Sequence, residues 1–146
     1  MIDFEINNLT GYRLPRRAIA KTVAVFASQA KLKQKLNLSL AFIPPAQIRK
    51  WNMTYRGRDQ VTDVLSFTAD GEGEFGDSLG EILICPKRAA KQAREYGWSL
   101  QQEIIRLLIH GLAHLAGYDH ENISPPKARE MEIFEGRILE KMAKSS

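Results

Sequence analysis

The chain has 146 residues, 44% hydrophobic and 26% charged, the ordinary make-up of a soluble globular protein with a real core. No apolar run approaches the roughly 20 residues that span a bilayer, and the start Met-Ile-Asp-Phe-Glu-Ile lacks the basic and apolar stretches of a signal peptide. The single cysteine, Cys85, cannot form an internal disulfide, so no membrane association and a reducing cytoplasm are expected.

Taken in chain order, Ile2, Phe4 and Ile6 alternate with polar residues and predict a strand over 2–7, closed by the turn Asn7-Asn8-Leu-Thr-Gly11. Pro15 can open a helix, and Ile19, Val23, Phe26 and Ala30 then fall at helical spacing over about 15–32. Leu36, Leu38, Leu40 and Phe42 alternate as a second strand, which Pro44-Pro45 stops, starting a short helix to about 51–54. Val64–Phe67 is a short apolar run, expected as a third strand. Residues 69–78 hold Asp70, Glu72, Glu74 and Asp77 with no basic residue. Gly80–Cys85 reads as a fourth strand with Ile82 and Ile84 on one side and Leu83 on the other, and Cys85 as a small buried hydrophobe.

Pro86 introduces a helix over about 87–96 that carries Lys87, Arg88, Lys91 and Arg94 and stops at Gly97. Ser99 and Gln102 form a capping-box pattern for the next helix, about 100–116. That helix is apolar nearly all round, which predicts a central, buried element. Ser124-Pro125 opens a last helix with Met131, Phe134, Ile138 and Met142 on one face. Strands and helices are mixed with no repeat and no linker. The expected fold is therefore α+β, one domain over 1–146, with a small mixed, mostly parallel sheet of about four strands packed with helices. Helices after the first, second and fourth strands support parallel pairing. The third and fourth strands, joined only by the acidic loop, could pair antiparallel or lie at an edge.

All three histidines fall within His110-Gly-Leu-Ala-His114-Leu-Ala-Gly117-Tyr-Asp-His120. On a helix His110 and His114 sit about 40° apart around the axis and about 6 Å apart along it. Gly117 offers the left-handed turn that ends a helix and lets the chain deliver His120 from outside. Three imidazoles with an open fourth position are the donor set of a catalytic zinc site; nickel, copper and iron also accept imidazole. The spacing His-x3-His-x2-Gly-x2-His is that of the metzincin metalloproteases. Those carry a general-base Glu after the first His, where this chain has Gly111, which disfavours peptide hydrolysis.

The formal charge is +4 with a pI near 9.3. Without the acidic loop the remainder is distinctly positive, as a nucleic-acid partner requires, although a solvated basic surface fits charge alone as well. Arg56 and Arg58 stand in a Gly-containing turn, Tyr55-Arg56-Gly57-Arg58-Asp59; arginine binds phosphate through two parallel hydrogen bonds. Thr62-Asp63 before the third strand reads first as a turn cap. Tyr55, Tyr118 and Phe75 are aromatic candidates for stacking a base, with core packing favoured for Tyr118.

Tyr55-Arg56-Gly57-Arg58-Asp59, Thr62-Asp63-Val64-Leu65-Ser66-Phe67, Leu79-Gly80-Glu81-Ile82, the histidine block and Met131-Glu132-x-x-Glu135 together resemble the YbeY family of bacterial endoribonucleases. The blocks keep the family's order over about 51–140, with Val61 and Thr68 where the family usually has proline. The resemblance implies a zinc-dependent, single-strand-specific endoribonuclease that matures ribosomal RNA, notably the 3′ end of the small-subunit RNA, and takes part in ribosome quality control. It implies His110, His114 and His120 as ligands of one Zn2+, with Arg56 and His114 as catalytic residues. Arg56, Arg58, Lys87, Arg88, Lys91 and Arg94 are then the candidate RNA contacts, and the ribosome or its proteins the expected partners. Asp119 and Glu121 are the carboxylates nearest the ligands in sequence, and the nucleophile is water or the RNA's own 2′-hydroxyl. Two alternatives stand beside this reading: a metal-dependent hydrolase of a peptide or small ester, and a non-enzymatic ribosome-assembly factor with a structural metal.

Overall fold

Period-two alternation places every second side chain of the strands on one face, and the helices collect there. The computed structural model describes residues 1–32, 35–68, 78–117 and 125–144. Its elements are β1 (Ile2–Asn8), α1 (Arg16–Gln29), β2 (Leu36–Phe42), α2 (Pro45–Arg56), β3 (Val64–Thr68), β4 (Ser78–Ile84), α3 (Pro86–Tyr96), α4 (Leu100–Leu115) and α5 (Pro125–Lys144). The four strands form one sheet in the order β1-β2-β4-β3. β1 pairs parallel with β2, and β2 parallel with β4, whereas β3 runs antiparallel to β4 as the edge strand. Only residues 69–77 separate β3 from β4, too few for a parallel crossover.

One sheet face carries Leu38, Leu40, Phe42, Ile82 and Ile84, and α1, α3, α4 and α5 bury their apolar stripes in the same cluster. α4 is its centre: Ile104, Leu107, Leu108, Ile109 and Leu112 are fully buried, as the all-round apolar pattern predicts. Its start is fixed by the capping box, in which Ser99 Oγ accepts from the Gln102 N–H and the Gln102 side chain accepts from the Ser99 N–H. Glu103 is wholly buried beneath this turn, and its carboxylate accepts from Trp98 Nε1 and from Arg106, so its charge is fully partnered. α5 packs beside α1, with Phe134 edge-on to Phe26 at 5.6 Å; Met131 and Ile138 are buried as expected. The Met142 side chain lies outside the described residues.

Among the described residues, the helix on the other sheet face is α2. Ala41, Ile43, Leu65, Leu83 and Cys85 pack there with Ile48 of α2. Among the described residues, the helices after β4 lead to no further strand. The expectation that they support parallel pairing is therefore corrected: they fold back onto the sheet, where α4 needs neighbours on every side.

Candidate active site

Two elements meet at the far end of β3. On the helix-rich side, α4 runs down to Gly80 of β4, where φ is +143° and a Cβ would lie 2.8 Å from a Leu115 methyl and 2.3 Å from the Phe67 carbonyl oxygen. Glycine at this position lets the end of α4 close onto the sheet. On the opposite side, the last turn of α2 packs the Tyr55 ring against Phe67, with centroids 5.1 Å apart. The Tyr55-Arg56 end of α2 and the His114-Leu115 end of α4 thus share one end of the edge strand.

His110 and His114 stand one turn apart on α4, both half-buried, with ring centroids 6.5 Å apart. Two imidazoles on one tetrahedral zinc have centroids roughly 5 Å apart, given Zn–N bonds of about 2 Å, so a modest rotation of either ring would let both bind one ion. His110 Nδ1 lies 3.1 Å from Glu135 Oε1 of α5. An ionised carboxylate only accepts, so this contact is made with the His110 proton on Nδ1. Imidazole pairs with this carboxylate support suit zinc. Helix α4 ends at Leu115, and Gly117 takes φ +106°, the positive turn expected of it. His120 lies outside the described residues, as do Tyr118, Asp119, Glu121 and the acidic loop with Phe75. Among the described residues no three His, Cys, Asp or Glu side chains are grouped to hold a metal.

Arg56 is the last residue of α2, exposed, and Gly57 caps the helix in the left-handed conformation at φ +69°. The following turn is tied back twice. Buried Asn52 donates from Nδ2 to the Gln60 carbonyl at 2.9 Å. Arg49 makes two hydrogen bonds to the Asp59 carboxylate, at 2.7 and 3.2 Å. That hydrogen bonding, reinforced by the charge, holds the Asp59 carboxyl below its ordinary pKa and the Arg49 guanidinium above its own. Arg58 is exposed in this turn.

Asp63 acts as the cap expected of it: Oδ1 accepts from the Val64 N–H at 2.8 Å, and Oδ2 accepts from Gln92 of α3 at 3.0 Å. On α3, Lys87, Lys91 and Arg94 are exposed opposite the buried Ala89 and Ala93, with Arg88 half-buried beside them. Cys85 is fully buried, and burial pushes its thiol up from its ordinary value, consistent with packing rather than reactivity.

Position 111 faces β4. A Cβ on Gly111 would lie 3.0–3.2 Å from Ile82 side-chain atoms, so the place of the protease glutamate is core, with no room for a base. Glu135 enters the site from α5, and neither residue periodicity nor local spacing assigns it a role. Its signal in the sequence is the Met131-Glu132-x-x-Glu135 block, which carries the resemblance without giving Glu135 a role. Asn52 gives a different sign, a polar residue four positions after Ile48 on the buried side of α2.

Fold and site together describe an α+β domain with a carboxylate-supported imidazole pair on its central helix and an arginine at the same end of the edge strand. The family model for Endoribonuclease YbeY matches residues 5–143. The chain is 41% identical to the Endoribonuclease YbeY of Macrococcus caseolyticus, covering 84% of each chain. It is 35% identical to that of Bdellovibrio bacteriovorus, covering 88% of this chain and 86% of the relative, and 44% identical to that of Aquifex aeolicus over 75% and 73%. The solution structure of TM1509 from Thermotoga maritima has the same fold, with a TM-score of 0.64 at 23% identity, covering 99% of this chain and 93% of that one. The chain belongs to the YbeY endoribonuclease family.

Proposed function

We propose that this chain is a zinc-dependent endoribonuclease that cuts single-stranded RNA in the cytoplasm, maturing the 3′ end of small-subunit ribosomal RNA and serving ribosome quality control. Family membership supports RNA as the substrate. The observation that carries the metal reading is the Glu135–His110 hydrogen bond, a carboxylate set on an imidazole one helical turn from His114. His110, His114 and His120 would hold the zinc. When bound, zinc supplies Lewis-acid polarisation of a phosphoryl oxygen or a water whose pKa is lowered toward about 7.

Arg56 binds the scissile phosphate with paired N–H donors and stabilises the charge that develops there. It remains cationic at every working pH. Arg58 extends the contact along the turn, and Lys87, Arg88, Lys91 and Arg94 offer a basic track for the RNA backbone. Glu135 holds the His110 proton on Nδ1. Peptide hydrolysis is disfavoured, because Gly111 packs on Ile82 where a protease would need its glutamate. The new RNA end separates two routes: a 2′,3′-cyclic phosphate marks attack by the 2′-hydroxyl, a simple phosphate marks attack by water.

The test compares Arg56→Ala, His114→Ala and Glu135→Ala on an end-labelled single-stranded RNA, with zinc content measured alongside. His114→Ala should lose zinc and cleavage together. Arg56→Ala should keep fold and zinc while cleavage falls about 100-fold or more. Glu135→Ala should weaken zinc binding about 10- to 100-fold in a chelator competition. Unchanged cleavage in both Arg56→Ala and His114→Ala would overturn the proposal.

A further inference from the structure

The last two turns of α2 expose aromatic surface that the core does not use. Trp51 and Tyr55, four residues apart, stack with ring centroids 5.3 Å apart and planes 15° from parallel. Both rings also contact Phe67 of β3, at 6.2 and 5.1 Å. Trp51 is nevertheless 42% exposed and Tyr55 60% exposed. Gln47, Lys50, Trp51, Thr54 and Tyr55 line a shallow groove on this face of the helix.

We infer that this groove is the site where a base of the single-stranded RNA stacks beside the scissile phosphate; the inference rests on the endoribonuclease reading above. Two observations choose the occupant. The first is continuity. Tyr55 directly precedes Arg56, and Phe67, under both rings, offers its backbone oxygen at Gly80, where the end of α4 closes on the sheet. A strand whose phosphate lies at Arg56 thus has the exposed Tyr55 ring on the neighbouring residue of the same helical turn. The second is charge. Lys50 lies in the groove, and Arg56 and Arg58 follow Tyr55 in the chain, so the pair of aromatic faces is flanked by cations on both sides, which suits a stacked base between phosphates. A duplex keeps its bases inside the helix and cannot offer them to such a platform, so the groove also selects single strands.

The test uses metal-stripped protein, so that RNA is bound and not cut, and takes the emission missing from Trp51→Leu as that of Trp51, with Trp98 kept for its hydrogen bond to buried Glu103. Titration with a single-stranded oligoribonucleotide should quench Trp51 emission at the concentrations that saturate binding, and a duplex of the same sequence should not. Trp51→Leu and Tyr55→Leu, which keep Phe67 covered, should each weaken binding about tenfold without changing its salt dependence. Lys50→Ala should instead reduce the salt slope. RNA binding at full affinity with Trp51 emission unchanged, or Leu variants that bind like the parent, would overturn the platform while leaving the endoribonuclease reading intact. Quenching by intact ribosomal subunits but by no naked RNA would make a protein the occupant and overturn it too. No RNA binding at all would overturn both.

Discussion

At Gly80 one missing Cβ decides how closely α4 approaches the sheet. The residue sits at φ +143°, a conformation costly for any L side chain, and the Phe67 carbonyl and Leu115 close over the space. Gly80→Ala should therefore destabilise the fold by about 3 kcal/mol or more, the sum of backbone strain and overpacking. Urea unfolding would show it as a lower midpoint with an unchanged slope; an unchanged midpoint would mean that α4 does not depend on this approach. In the sequence Gly80 is only the start of an apolar strand, because the atoms that demand glycine come from β3 and α4. The histidines are the opposite case. His110 and His114 can be read from local spacing alone, since a helix sets i and i+4 side by side. Glu135, 25 residues from His110, meets it only through the packing of α5.

Among the elements, the departure of α2 from its sequence reading bears most on the site. Pro44-Pro45 marks its start, but the helix runs to Arg56, beyond the 51–54 expected, and stops at the left-handed Gly57. With one face in water and only Ile48 and Asn52 fully buried, its periodicity is too weak to mark an end. The consequence is functional, because Arg56 belongs to a helix and not to a loose turn. Its position depends on the clasp from Asn52 to Gln60. Asn52→Ala removes that buried donor and should cost about 1–2 kcal/mol. Because the turn that follows Arg56 is released, RNA cleavage should fall more than thermal stability does; cleavage retained in full would show that the Arg49–Asp59 pair holds the turn alone. That pair has a definite pH sense. The Asp59 carboxyl titrates below its unfolded value, so its contribution is present above the ordinary carboxylate pKa and is lost only as pH falls through the lowered one.

At the scale of the whole molecule, alternation along β1, β2 and β4 made the sheet faces legible, and the short β3–β4 connection made antiparallel pairing one of two options. The strand order was not legible, nor was the gathering of four helices on one face. Both follow from burying α4 on every side, which depends on contacts far apart in sequence. That core has a consequence for the metal. The side chains of α4 are buried among apolar side chains of α1, α3, α5 and the sheet, so zinc is expected to add to a fold that already stands. A ligand held at a thousand times its dissociation constant stabilises the folded state by about 4 kcal/mol. For a chain of about this length each kcal/mol moves the melting temperature by about 3 °C. Chelator-treated protein should therefore melt cooperatively, with its helical circular dichroism intact, roughly 10 °C below the zinc-saturated form. His114→Ala should melt at one temperature with or without zinc. A stripped protein that is unfolded at room temperature would show that the metal organises the core, and a parent chain that zinc leaves unshifted would show that the imidazoles hold none.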